Sequence, residues 1–140
     1  MAKQKVYALG IDLGGTKTLA AVVDVTTGEV ISSERKRTRA EKGQEYVSQH
    51  VINLSNAALE SAKLPSASKI IGIGIGAAGQ IDRKNGVILD APNLGVKDMP
   101  MAEILGKQFG KPVAVGNDVE VAALGEYIYG AGRGYSTFVV

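Results

Sequence analysis

Cysteine is absent from the 140-residue chain, which excludes disulfides and thiolate metal sites and fits a reducing compartment. No stretch approaches the ~20 consecutive apolar residues of a membrane helix. Met1-Ala2-Lys3-Gln4-Lys5 leads straight into an apolar strand rather than into the core of a signal peptide. The expected location is the cytoplasm. A dominant charge sign is missing too: 16 basic against 14 acidic residues leave a net charge of +2. Lys and Arg form no stripe, and the densest patch, Arg35-Lys36-Arg37, reads as a solvated strand end. Neither a nucleic-acid nor a membrane partner is expected. Repeats and low-complexity tracts are also lacking. What remains is 45% hydrophobic and 21% charged, the composition of a soluble globular domain long enough to bury a core. The informative excess is glycine, 18 residues that cluster at the ends of predicted strands.

Apolar alternation predicts strands over Val6–Asp12, Thr18–Val25 and Val30–Thr38, the last polar enough for a sheet edge. From Gly43 to Lys63 the period changes: Val47, Val51, Leu54 and Ala58 share one helical face, with Pro65 marking the stop. Lys69–Ile75 reads as a buried strand, Gln80–Leu89 as a hairpin around Lys84-Asn85-Gly86, and Ala91–Gly95 as a loop. Met101–Phe109 is a short helix, Pro112–Val115 a buried strand, Asp118–Tyr129 a helix, Gly130–Gly134 a glycine loop, and Ser136–Val140 the start of a strand. Hairpin strands followed by alternating strands and helices predict a mixed α/β sheet, antiparallel on one side and parallel on the other. Because nothing terminates the last strand, the chain is expected to be part of something larger.

The segment Gly10-Ile11-Asp12-Leu13-Gly14-Gly15-Thr16-Lys17-Thr18 looks like a phosphate loop but is no P-loop. Gly15 is followed by Thr16 rather than lysine, and the next stretch is a strand instead of a helix. Asp12 closes the first strand, and Asp118 follows the strand Pro112–Val115. If those strands are parallel, both carboxylates sit at the carboxyl edge, where open α/β sheets bind ligands. Gly14-Gly15-Thr16 can then offer backbone N–H groups to phosphate oxygens, and Asp12 suits Mg²⁺, directly or through water. An ordinary hairpin turn is the competing reading, against which the adjacent Thr16-Lys17-Thr18 weighs. Asn117-Asp118-Val119-Glu120 has the spacing of a capping box, yet Asn117 can cap while Asp118 enters the cleft and accepts a hydroxyl proton during phosphoryl transfer. Gly74-Ile75-Gly76-Ala77-Ala78-Gly79 matches the dinucleotide fingerprint, but a hairpin rather than a helix follows it, which argues against nicotinamide binding. The single histidine, His50, is expected at the surface.

Three stretches, 10–24, 72–95 and 115–134, together resemble the N-terminal half of ROK-family proteins, a family of sugar kinases such as bacterial-type glucokinases and of related repressors. The resemblance runs over nearly the whole chain in the right order. It implies one lobe of an actin-like ATPase (ribonuclease H-like) fold, a mixed five-stranded sheet with helices on both faces. It also implies that residues 1–140 are the N-terminal lobe of an ATP-dependent hexose kinase, with the 6-hydroxyl of glucose as the expected acceptor. In that frame Asp12 helps hold Mg²⁺ and ATP, Gly14, Gly15, Thr16 and Lys17 line the phosphates, and Asp118 is the general base. Asn93 and Asn117 match sugar-binding positions, and the backbone around Gly79 borders the sugar. The complete protein is expected to be a homo-oligomer, a dimer. The family's second phosphate loop, adenosine segment, Cys/His zinc site and Glu-x-Gly-His sugar motif belong to a C-terminal half that this sequence does not contain, so the chain alone is expected to be inactive. Two departures stand out: Ala77-Ala78-Gly79 where proline is frequent, and Glu120 where Asn is frequent. Alternatives are a ROK transcriptional regulator, against which the absence of a basic recognition helix argues, and a non-catalytic sugar- or nucleotide-binding module.

Overall fold

A computed structural model describes residues 5–64, 69–130 and 132–134, with backbone only at 126 and 127. The chain opens with β1 (Tyr7–Leu13), β2 (Lys17–Asp24) and β3 (Val30–Arg37), then α1 (Gln44–Ser61) and β4 (Ile70–Ala77). Three short strands follow, β5 (Gln80–Asp82), β6 (Val87–Ala91) and β7 (Val96–Met99). The described part ends with α2 (Met101–Phe109), β8 (Val113–Asn117) and α3 (Asp118–Tyr129). The main sheet has five strands in the order β3-β2-β1-β4-β8. Pairing is antiparallel within β1-β2-β3 and parallel from β1 through β4 to β8. This is the expected mixed sheet, with the polar β3 at its edge.

Strand alternation divides the sheet into two unlike faces. Leu9, Ile11 and Leu13 of β1 share one face with Ala20 and Val22 of β2 and with Ile73, Ile75 and Ala77 of β4, all of them buried. α1 lays Val47, Val51, Leu54 and Ala58 against this face, so the predicted stripe is the real one. Met101 and Leu105 of α2 extend the same core beside β8. Each large aliphatic side chain buried here contributes about 1.5–3 kcal/mol. The opposite face carries Gly10, Gly74, Gly76, Ala114 and Gly116, which are paired across β1, β4 and β8. α3 crosses it, so helices lie on both faces. Val119, Val121, Leu124 and Ile128 of α3 remain exposed.

The expected hairpin is present as β5 and β6, its turn held by the Asp82 carboxylate, which accepts from the Asn85 N–H at 3.1 Å and from Asn85 Nδ2 at 2.8 Å. β7 joins it in a second, three-stranded sheet that the sequence reading did not anticipate. Its four residues, Val96-Lys97-Asp98-Met99, bury the two outer side chains and expose the inner two, a pattern without the period of two. The Gln44 side chain holds this sheet to α1, donating to the Lys97 carbonyl and accepting from the Lys97 N–H, both at 3.1 Å. The glycines 74–79 end β4 and enter β5 with no helix, which excludes the dinucleotide reading. Pro65 and the strand expected at Ser136–Val140 lie outside the described residues.

Gly79 turns the chain between the two sheets at φ +138°, where a Cβ would overlap the Asp90 carbonyl oxygen and lie 3.0 Å from Ala91 Cα. Gly79→Ala is therefore expected to cost at least about 1–3 kcal/mol. A urea midpoint equal to that of the parent would show that the turn relaxes at no cost.

Candidate active site

Two parallel strands end side by side through a third. Asp12 pairs in register with Gly76, and Gly76 with Gly116, one residue before Asn117. Asp118 opens α3 directly after β8. A cleft of about 450 Å³ lies at this edge, lined by Ile11, Asp12, Gly76, Asp118, Val119, Val121 and Ala122. Gly76 forms its floor, and a Cβ there would stand in ordinary contact, 3.4 Å from Asp118 Cα and 3.5 Å from Val121 Cβ. Asp12 is exposed and Asp118 half-buried. The structure thus brings together the two carboxylates singled out in the sequence.

The β1–β2 turn lies next to Asp12. The Gly14 N–H donates to the Lys17 carbonyl at 3.1 Å, and Thr16 and Lys17 are exposed beside it. Tertiary contacts hold the turn from behind. The Thr38 N–H donates to the Thr16 carbonyl at 2.8 Å, and Thr38 Oγ1 donates to the Gly14 carbonyl at 2.6 Å. Thr18 Oγ1 lies 2.8 Å from Thr38 Oγ1. A hydroxyl has a single proton, so Thr18 is the donor in that pair. Both threonines are fully buried. Their role was missed in the sequence because a threonine at the end of a polar edge strand looks like any other; only the pairing of β3 with β2 places Thr38 behind the turn.

The turn also touches the small sheet. A Cβ at Gly15 would lie 2.8 Å from the Asn93 carbonyl oxygen and 3.0 Å from its Cβ, so glycine is required for this approach. Asn93 sits in a single 3-10 turn, Pro92–Leu94, and is exposed. Asn117 bridges Gly79 and α3: its Nδ2 donates to the Gly79 carbonyl at 3.0 Å, and its Oδ1 accepts from the Val119 N–H at 3.0 Å. Asp118 Oδ1 shares that N–H at 2.9 Å. Asn117 therefore caps α3, as the spacing suggested, while Glu120 lies 3.8 Å from Arg83. Asp12, the turn 14–17, Asn93, Asn117, Asp118 and Gly79 all fall at one edge of the molecule. His50 does not. Expected at the surface, it is 9% exposed and stacks on Tyr46 with ring centroids 5.9 Å apart. Its position on α1, one residue before Val51, turns it toward the edge strand rather than to solvent.

Among the described residues no group of three or more His, Cys, Asp or Glu is placed to hold a metal. Mg²⁺ needs no such cage, since one or two carboxylates suffice alongside substrate phosphates. Asp12 beside the turn fits that donor set.

Residues 8–140 match the ROK family. The chain belongs to that family. Its sequence is 33% identical over 131 residues to a glucokinase of Streptomyces coelicolor, covering 94% of this chain and 38% of that protein. It is 32% identical over 122 residues to a putative xylose repressor of a Caldicellulosiruptor species, covering 87% and 30%. The structure is similar to a ROK hexokinase from Thermus thermophilus, with a TM-score of 0.80 at 35% identity, covering 92% of this chain and 41% of that one. It is similar also to a ROK glucokinase from Streptomyces griseus in complex with glucose and AMPPNP, at a TM-score of 0.77 and 35% identity over 91% and 38%. This ROK chain thus has the actin-like ATPase architecture implied by its motifs, and it spans about two fifths of the length of the glucokinase and kinase structures it matches.

Thr38→Val removes the donor to Gly14 and strands the Thr18 hydroxyl. We expect a loss of about 1–3 kcal/mol, the usual cost of leaving buried polar groups unpaired, together with faster amide exchange in the 14–17 turn. Unchanged stability and exchange would show that the turn holds itself.

Proposed function

We propose that this chain is the N-terminal lobe of an ATP-dependent ROK sugar kinase whose substrate is a hexose, with glucose, at its 6-hydroxyl, the leading candidate. The observation that carries the reading is the pair Asp12 and Asp118 facing one cleft across Gly76, beside the Gly14–Lys17 turn. The likeness to glucokinases and to a glucose- and AMPPNP-bound relative supports it. A likeness to a putative xylose repressor at similar identity supports a regulator as the second reading, and the two carboxylates at one cleft favour catalysis.

In this reading each residue has a definite task. Asp118 Oδ1 is fixed by the Val119 N–H, which leaves Oδ2 to accept the proton of the attacking hydroxyl. The Gly14 amide closes the turn, so the donors offered to the phosphates are the Gly15 and Thr16 amides, the Thr16 hydroxyl and the Lys17 ammonium. Asp12 would hold Mg²⁺, which neutralises charge on the phosphate oxygens when bound. Asn93 and the backbone around Gly79 border the sugar. Asn117 already spends one N–H on Gly79 and one lone pair on Val119. It keeps one of each for a sugar hydroxyl and fixes the angle at which Asp118 leaves β8.

In the full-length protein Asp118→Asn is expected to lower kcat by about 10²–10⁴-fold, the range of general-base losses, with sugar KM little changed. The amide still hydrogen-bonds but cannot take the proton. Turnover near that of the parent would reduce Asp118 to a helix-start residue.

The 140-residue chain by itself should release no ADP in the presence of hexose, ATP and Mg²⁺. Two lobes closing on both substrates provide the orientation that can supply ~7–11 kcal/mol of the barrier, and one lobe leaves the adenosine uncovered. A coupled assay showing sugar-dependent turnover at ordinary rates would overturn the two-lobe reading.

A further inference from the structure

A second concavity, about 360 Å³, lies between the edge strand β3 and α1, away from the Asp12–Asp118 cleft. Lys36 and Arg37 of β3 and Arg39 just beyond it form one wall, and Tyr46, His50 and Asn53 of α1 form the other. Among the described residues none of the three cations makes an ion pair. Glu34, the acidic residue of the same strand, is engaged by the Ser61 hydroxyl instead. Asn53 Oδ1 accepts from Gln49 Nε2 at 2.9 Å, which turns the Asn53 amide nitrogen into the remaining donor. The lining is therefore rich in donors and poor in acceptors.

Histidine 50 adds an observation that a merely solvated basic patch does not explain. It is nine-tenths buried, and its Nε2, inaccessible to solvent, has no hydrogen-bond partner among the described residues. A buried polar atom left this way costs about 1–3 kcal/mol unless something pairs with it. Burial, and then the Lys36 charge, push the His50 pKa below its ordinary value, so the ring is mostly neutral at pH 7. Tyr46 stacks on His50 and also lies under the Lys42 ammonium, 4.9 Å from its centroid. The cavity of about 360 Å³ and its three cations suit a compact anionic ligand.

We propose that this groove is a second ligand site, built for a small phosphate- or diphosphate-bearing molecule held by Lys36, Arg37 and Arg39, with the His50 ring turning so that its buried Nε2 meets a ligand oxygen. The site is separate from the phosphate turn but adjoins it: Arg37 pairs in register with Lys17, and Thr38, between Arg37 and Arg39, holds the carbonyls of Gly14 and Thr16. An anion drawing Arg37 and Arg39 together is thus applied directly to the backbone that positions the turn.

Calorimetric titration of the full chain with inorganic pyrophosphate and with inorganic phosphate, at low ionic strength and without Mg²⁺, tests this. The His50 ring nitrogens are followed by NMR in parallel. We expect saturable binding, tighter for pyrophosphate, with a shift of the His50 resonance. In the exposed double variant Arg37→Gln/Arg39→Gln binding should weaken about tenfold or more, since charge-assisted hydrogen bonds are lost. Lys17→Gln, on the phosphate turn, removes a charge beside Arg37 but lies outside the groove, so it should weaken binding less than the double variant does. An absence of saturable binding, or binding that leaves His50 unmoved, would overturn the proposal. So would equal affinity in the double variant. A loss confined to Lys17→Gln would assign the anion to the phosphate turn instead.

Discussion

The register of three parallel strands governs everything at the functional edge. β1, β4 and β8 are aligned so that Asp12, Gly76 and Gly116 stand in one row and Asn117-Asp118 leaves the sheet one step later. A one-residue slip in either pairing would send Asp12 or Asn117 to the opposite face, since side chains alternate with a period of two. The register is itself held by the buried row on the α1 face, where Ile11, Ile75 and Val115 lie side by side. The hydrophobic core and the cleft are therefore two sides of one constraint. Moving the carboxylates means unpacking the core.

The opposite face shows what the site demands of the sheet. Glycines at 10, 74, 76 and 116 line the face that α3 crosses, and of these Gly116 is the one α3 crowds. A Cβ at Gly116 would come within 3.0 Å of Val121 Cγ2. Glycine within strands is unfavourable by itself, because it packs nothing and loses more conformational freedom than other residues. Glycine is concentrated in the strands that carry the carboxylates, while β2 and β3 contain none, and at Gly116 the close approach of α3 accounts for it.

Around that edge the chain fixes its loops by hydrogen bonds from distant segments. Thr38 reaches back to the 14–17 turn, Asn117 ties β8 to Gly79, and Gln44 seats the small sheet on α1. Each clamp joins residues far apart in sequence, so the geometry of the 14–17 turn and of the loops around Gly79 and Lys97 is a property of the folded chain. The β3–α1 groove belongs to the same arrangement: the residues flanking Thr38 are the arginines that line it.

Much of this was legible in the sequence. Apolar periodicity located β1–β3, α1 and α2, where local pattern and packing agree, while the turn at Lys84-Asn85-Gly86 and the cap at Asn117 located the β5–β6 hairpin and α3, whose apolar residues stay exposed. The Asp12–turn–Asp118 constellation was readable because strand ends followed by glycine or by a helix start are local events. Other features were decided only by tertiary structure. The pattern of β7 is too short and irregular to announce a strand, and it exists because Gln44 and β6 pair with it. Thr18 and Thr38 acquire their partnership only through β2–β3 pairing. His50, on the margin of an otherwise well-read helix, is buried because β3 lies against that margin. Residue type and spacing determine which elements form and what chemistry they carry; which faces meet, and so which polar groups are buried together, depends on contacts between residues remote in the chain.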